Sequence, residues 1–297
     1  MRSIWIALGF GVFAMPALAA NTILPPVVAT GCSNPDALGV SRIIEVDTSQ
    51  TLEVGRIEFK SRLPLQRGEV VLTFDDGPRP GTTDAVLKAL QAECARATFF
   101  IVGKMALSHP VTLHEVEASG NTIGTHTFDH PLDLQTRPVE DGIAEIDKGI
   151  AAVTEKLGHA PAPFFRFPGF MHTPELLAHL SELHVGVFSA DVVGDDWTHI
   201  TADKVRARVM QRLKEHDGGI IMLHDTKKVT AAMLPALLRD IKAAGYHLVA
   251  VVPAVRTPAV AAAATAGVVA AARPAQTAPP AVQVMPPPAL RQTPATR

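Results

Sequence analysis

The chain has 297 residues, 47% of them hydrophobic, with 27 basic and 29 acidic side chains and a formal net charge of −2. That length suits one large domain or two small ones, and that apolar share is ample for a core. The near-even charge balance excludes the strong basic excess that marks a nucleic-acid-binding surface.

Residues 1–20 read as a secretory signal: Arg2 supplies the positive start, Ile4 to Ala14 form an apolar run, and Ala17-Leu18-Ala19 is a small-x-small cleavage site. The run is too short to span a bilayer, so no stable membrane span is expected after cleavage. The mature protein is expected to be exported, either periplasmic or secreted. Cys32 closes the stretch "ATGC", but it lies beyond Pro25-Pro26 and far from the apolar run, which argues against lipid attachment there. Cys32 and Cys94 are the chain's two cysteines. A disulfide tying the start of the mature chain to the core and two buried free thiols are both open readings. Residues 21–66 form an N-terminal extension, in which "RIIEVDTS" and "GRIEFKS" alternate apolar and polar residues, as strands with one exposed face do.

Residues 67–253 follow a regular alternation. Short apolar runs lie at 69–75 (EVVLTFD), 97–102 (ATFFIV), 121–125 (NTIGT), 164–167 (FFRF), 185–190 (VGVFSA), 219–223 (GIIML) and 247–252 (HLVAVV). Amphipathic stretches separate most of them. "TTDAVLKALQAE" has Val86, Leu87 and Leu90 at helical spacing, with Thr83 or Asp84 near a cap. "VEDGIAEIDKGIAAVTEKLG" puts Val139, Ile143, Ile146, Ile150 and Val153 on one stripe, and "TADKVRARVMQRLKE" does the same with Val205, Val209 and Leu213. "TAAMLPALLRDIKAAGY" runs to Gly245, a natural helix stop. Strands alternating with helices predict a parallel sheet, as a βα-barrel or an open doubly wound sheet. From Pro253 onward proline and alanine dominate and acidic residues are absent, while Arg256, Arg273, Arg291 and Arg297 make the segment positive. Residues 254–297 are therefore expected to be a disordered tail that buries no core.

A parallel α/β fold reserves the C-terminal ends of its strands for chemistry. Here those ends carry Asp75 and Asp76, then His126 and His130 in "HTFDH", Arg166 in "RFPGF", Asp191, Asp195, Asp196 and Trp197 in "DVVGDDW", and His224 and Asp225. Lysine is absent from these motifs. His126 and His130 have the spacing of one face of a helical turn. Two neutral imidazoles and a carboxylate make a facial N,N,O set that zinc accepts while keeping positions open. Neighbouring side chains in extended chain point opposite ways. At a turn such as Gly77-Pro78, one of the two aspartates can bind a metal while the other stands beside it as a general base.

"TFDDGP", "HTFDH", "RFPG", "DDW" and "LHD" occur in the order found in the polysaccharide deacetylases, carbohydrate esterase family four, and the resemblance covers about residues 67–253. It implies a distorted (β/α) barrel of about seven parallel strands and metal-dependent removal of acetyl groups from sugars. It also implies Asp76, His126 and His130 as metal ligands, Asp75 as catalytic base, His224 as general acid and Arg166 as the holder of the base. Trp197 and Leu223 are expected to wall the acetyl-methyl pocket, and the backbone N–H near Gly169 to donate to the oxyanion. The sequence departs from the family twice. Gly169 intervenes before the aromatic of the third motif. In the fourth motif the family aspartate that supports the acid histidine lies three residues before the Asp-Trp aspartate, whereas Asp191 lies five before Asp196. Asp191 is the first choice for that support, with Asp195 its rival.

The expected partner is an acetylated glycan: chitin oligomers, peptidoglycan, acetylated xylan or poly-N-acetylglucosamine. The expected cofactor is a divalent metal, zinc first, with cobalt, nickel and manganese as alternatives. A non-catalytic carbohydrate-binding relative, a deacylase of a non-polymeric substrate and a glycosidase with paired carboxylates are the competing readings; the last fits poorly, because adjacent aspartates rarely give the separation it requires. His172 and His199 lie near the site segments and are candidates for substrate contact.

Overall fold

In the computed structural model the described residues are 34–254. The expected leader, Cys32 with its possible bridge to Cys94, and the Ala/Pro-rich tail lie outside them. The strands are β1 (Arg42–Val46), β2 (Glu53–Val54), β3 (Glu69–Asp75), β4 (Thr98–Ile101), β5 (Thr122–Thr125), β6 (Phe164–Phe165), β7 (Gly186–Phe188), β8 (Val192–Val193), β9 (Gly219–His224) and β10 (His247–Pro253). The helices are α1 (Thr82–Ala92), α2 (Gly103–Ser108), α3 (Pro110–Ala118), α4 (Val139–Leu157), α5 (Pro174–Glu182), α6 (Ala202–His216) and α7 (Lys228–Ala243).

Every strand pairing among the described residues is parallel. The order is β1-β10-β3-β4-β5-β6-β7-β2, with β9 joined to β3 and β8 joined to β9. The result is a distorted (β/α) barrel whose sheet does not close, since β8 pairs with β9 alone. All seven apolar runs read from the sequence are strands. The extension adds β1 against β10, as its alternation predicts. "GRIEFKS" is not a strand, however. Gly55 stands at φ 111, and a side chain there would meet the Ser189-Ala190 backbone, so the chain leaves the sheet and turns. The turn is tied down by Ile57 N–H donating to Ala190 O at 3.1 Å.

Strand alternation divides the interior in two. On β3, Val70, Leu72 and Phe74 face the helices and pack with α1, α6 and α7 residues such as Leu90, Val209 and Leu237. Val71 faces inward with Phe100, Phe164, Phe188 and Ile220. Each such burial stabilises by about 1.5–3 kcal/mol before entropy is charged against it. Further along the same inner face come Thr73 and Asp75, so one strand passes from apolar barrel filling to site chemistry in four residues. Because β3 and β9 are in parallel register, Thr73 opposite Met222 and Asp75 opposite His224, Met222 and His224 share that inner face.

Candidate active site

Arg166 follows β6 and is fully buried. A buried guanidinium needs all its donors satisfied. Its Nε donates to Phe188 O at 3.1 Å, Nη2 to Ser189 O at 2.9 Å, and Nη1 to both Thr73 Oγ1 and Asp75 Oδ1 at 2.7 Å. Its plane lies over the Phe100 ring, 4.3 Å from the centroid. Burial pulls its pKa down against the opposing charges of Asp75 and Asp191. The pair holds the Asp75 carboxylate in one orientation, and Oδ2 of Asp75 receives no hydrogen bond among the described residues.

Asp76 breaks away from the strand direction at φ 75, in the left-handed region that aspartate tolerates better than most residues. This turn separates the two adjacent carboxylates. Asp75 stays with Arg166, while Asp76 Oδ1 comes within 3.1 Å of His130 Nε2 and 3.7 Å of His126 Nε2. His126 and His130 do not sit on a helical turn as their spacing suggested. Residues 126–130 are loop, with Thr127 at φ 59 and His130 at φ 58, and the two rings converge with centroids 4.9 Å apart. Thr127 Oγ1 accepts from His130 N–H at 3.1 Å and braces the loop.

Three potential ligand atoms of Asp76, His126 and His130 lie within 4.8 Å of one another. Asp76 Oδ1 is buried without a well-formed hydrogen bond, although His130 Nε2 lies 3.1 Å away. The imidazole of His126 donates from Nδ1 to Arg166 O at 2.6 Å, which leaves Nε2 as the lone-pair atom facing Asp76. Burial holds its pKa down to about 4, aided by His130 and opposed by Asp75 and Asp76, so it is neutral at pH 7. Burial would raise the Asp76 carboxylate, but His130, His224 and His126 outweigh it and hold the group below the usual carboxylate range. A neutral, pre-oriented imidazole, a second imidazole and an orphaned carboxylate oxygen fit a divalent cation. The 3.1 and 3.7 Å separations from Asp76 Oδ1 to the two imidazole nitrogens are short enough for these groups to reach one ion.

The His224 imidazole meets Asp196, not Asp191 or Asp195. Nδ1 of His224 lies 2.7 Å from Asp196 Oδ1, and its backbone N–H donates to Asp196 Oδ2 at 2.7 Å. The Thr230 hydroxyl donates to the same Oδ2. Burial would lower the His224 pKa, yet Asp196 first and then Asp76 and Asp75 raise it above the ordinary histidine value. Asp191 is spent on the backbone, accepting from Arg56 N–H and Ile220 N–H at 2.8 Å, so it seals the extension against β9. Asp195, at φ 53, turns outward to Arg208 at 2.8 Å and Arg212 at 3.1 Å. The first-choice assignment of Asp191 is thus overturned, and so is its rival.

A cavity of about 420 Å³ joins these groups: Asp75, Asp76, His126, His130 and His224 line it with Gly169, Phe170, Trp197 and Met222. Leu223 does not. It points to the helix side and packs against Gly194, as the register with Phe74 requires. Met222 takes the expected place of Leu223 in the wall. Trp197 stands edge-on to His224 with centroids 5.4 Å apart. Around Gly169, at φ 56, the turn uses Phe170 N–H and Met171 N–H on Phe167 O and Pro168 O, and Gly169 N–H makes no hydrogen bond among the described residues. Asp225 does not enter the cavity. Its carboxylate accepts from the Thr83 hydroxyl and packs against Gly77, and burial pushes it up to about 7. His172 lies between Phe59 and Phe167, with Nε2 3.3 Å from Glu58. Lys227, which the motif reading passed over, lines the cavity with Nζ 3.9 Å from Asp76 Oδ2. A larger recess of about 630 Å³ lies around Leu87, Ala95 and Asn121, towards the other ends of β4 and β5, and holds none of the candidate residues.

A family model described as polysaccharide deacetylase matches residues 63–187. The chain is 30% identical over 185 residues to the peptidoglycan-N-acetylglucosamine deacetylase PgdA of Listeria monocytogenes, covering 61% of this chain and 38% of that protein. It is 30% identical over 165 residues to the chitooligosaccharide deacetylase of Azorhizobium caulinodans, covering 56% of this chain and 77% of that one. Among solved structures, the Bdellovibrio bacteriovorus peptidoglycan deacetylase Bd3279 is 31% identical, with a TM-score of 0.67 over 77% of this chain and 63% of that chain. The chain therefore spans well under half the length of the Listeria relative and about three quarters of the Azorhizobium one.

Proposed function

The chain belongs to the polysaccharide deacetylase family, and from that premise we propose that it is a metal-dependent hydrolase removing acetyl groups, N-acetyl foremost, from a carbohydrate such as peptidoglycan, chitin oligomers or poly-N-acetylglucosamine. The observation that carries this reading is the meeting, in one cavity, of the Asp76-His126-His130 set, the Arg166-held Asp75 and the Asp196-held His224. Asp76, His126 and His130 would hold the cation, with zinc the first candidate because it accepts two imidazoles and a carboxylate while keeping positions open. A divalent ion bound there supplies polarisation of the acetyl carbonyl and acidification of water.

The remaining steps belong to the chain's own residues. Asp75 takes the proton of the attacking water on Oδ2, since Oδ1 is committed to Arg166. Gly169 N–H, free in its turn, donates to the developing oxyanion, a contribution of about 3 kcal/mol for one such donor. Trp197, Met222 and Phe170 enclose the methyl group. His224 carries a proton on Nε2, because Asp196 holds Nδ1 and stabilises the imidazolium, and delivers it to the departing nitrogen. The leader-like start of the chain supports work outside the cytoplasm, where such glycans lie.

The test is acetate release from a panel of acetylated glycans by chelated and metal-restored protein. Release that needs the restored metal is the expected result. Chelator-resistant cleavage of glycosidic bonds would make the protein a glycosidase, and binding without acetate release from any glycan would make it a non-catalytic relative.

A further inference from the structure

The cavity mouth is asymmetric in charge. Among the cavity-lining residues Lys227 is the one with a permanently cationic side chain, and Leu132, Phe170, Met171 and Trp197 contribute no charge. Lys227 is 37% exposed and has one carboxylate within 4.0 Å among the described residues, Asp76. That carboxylate also faces two imidazoles. A divalent ion held there would draw on the same negative charge and leave the ammonium short of a counter-charge. Lys228 and Arg79 stand exposed beside it and line a neighbouring recess of about 340 Å³ with Pro80, Gly81 and Thr82. Neither makes an ion pair among the described residues. The two loops that carry these cations are locked together, because Thr83 donates to Asp225 and Gly77 packs against the same carboxylate. Two braced loops therefore carry three cations, Lys227 in the cavity wall and Arg79 and Lys228 in the neighbouring recess, with Asp76 beside Lys227 and Asp84 on Gly81 N–H as the acidic groups near them.

We propose that Arg79, Lys227 and Lys228 form a subsite for a carboxylate carried by the sugar next to the one deacetylated. The protein would then prefer acidic glycans, such as those containing a lactyl-ether sugar of the muramic type, over neutral oligomers of N-acetylglucosamine. This rests on the deacetylase reading and narrows its substrate class. Exposed pairs of this kind are individually weak and weaken further with salt, so three acting together give a preference of about tenfold at low ionic strength.

The experiment compares two peptide-free glycans of alternating N-acetylglucosamine and N-acetylmuramic acid, one intact and one with its lactyl carboxylate reduced to the alcohol. The kcat/KM for acetate release is measured with metal-loaded wild type and with Arg79→Gln/Lys227→Gln/Lys228→Gln. Affinity for both glycans is measured by calorimetry in an Asp75→Asn background, and the single variant Lys228→Gln guards against misfolding of the triple one. The expected result is an intact-over-reduced ratio of about ten in both readouts, falling with salt, reduced partly by Lys228→Gln and close to one in the triple variant. Equal handling of the two glycans by wild type, or an unchanged ratio in the variants, overturns the subsite. Binding preference without acetate release from either glycan contradicts the deacetylase reading and leaves the subsite standing.

Discussion

Two pairs of adjacent aspartates close strands of this barrel, Asp75-Asp76 after β3 and Asp195-Asp196 after β8, and they divide their work differently. In each pair one residue turns into the left-handed region, Asp76 at φ 75 and Asp195 at φ 53. In the first pair both carboxylates serve the cavity, one on Arg166 and one on the histidines. In the second, Asp196 turns inward to His224 while Asp195 goes out to Arg208 and Arg212. The same dipeptide thus gives two site groups in one place, and one site group and one surface group in the other. What decides is where the neighbouring strands present partners for each direction. β5 and β6 are followed directly by His126 and Arg166 around Asp76 and Asp75, whereas α6 offers guanidiniums to Asp195.

The sharpest way to break this comparison is to remove the two turned residues. Asp76→Ala is expected to lose bound metal and at least about 10³-fold in kcat/KM, because two imidazoles alone make an incomplete site. Asp195→Ala loses two surface ion pairs, to Arg208 and Arg212, each worth about 0–1 kcal/mol, and stays within about twofold of wild type in turnover. Metal analysis of the purified variants and acetate release check both; equal losses in the two variants would contradict the division.

Next in size is the contrast between neighbours on β9. Leu223→Ala removes a fully buried side chain and is expected to cost about 2–5 kcal/mol in chemical denaturation. Met222→Ala opens the cavity wall and is expected to act mainly on KM. The reverse pattern would mean that the register with Asp75 is wrong by one residue.

The inward aspartate of the second pair gives the pH test. Asp196 raises the His224 pKa, so the imidazole stays protonated to higher pH than an ordinary histidine. Activity that needs this proton persists below the raised pKa and declines as pH rises through it. Asp196→Asn removes the raising group, so the alkaline limb moves to lower pH and kcat drops by about 10–100-fold. Asp191→Ala leaves that limb in place and costs about 1–3 kcal/mol of stability, because it orphans the Arg56 and Ile220 N–H groups. A limb that shifts in Asp191→Ala but not in Asp196→Asn would restore the overturned assignment.

The parts of the molecule legible in sequence were those governed by local pattern. Seven apolar runs read as strands because a parallel sheet buries both faces, and the α1, α4, α6 and α7 stripes read as helices because each has one buried face. α2 is six residues long and α3 leaves Val111 71% exposed, so neither carries a clean stripe. The site residues themselves were visible as ionisable groups at strand ends. Their pairing was harder to read, because counting along "DVVGDDW" cannot show which aspartate has positive φ. The exchange of Met222 for Leu223 was accessible in principle: residues two apart on a strand share a face, so whatever lines the cavity beside His224 must be Met222. Lys227 lies outside the motifs, and only the fold brings it within 3.9 Å of Asp76.

The central claim is that Asp75 and Asp76 hold different offices although they are neighbours. Metal content and acetate release, measured on the same preparation of Asp75→Asn, test it most directly. The account predicts wild-type metal occupancy with turnover lowered by about 10²–10⁴-fold. Asp75→Asn protein that releases acetate at the wild-type rate, or that loses its metal as Asp76→Ala is expected to, would contradict it.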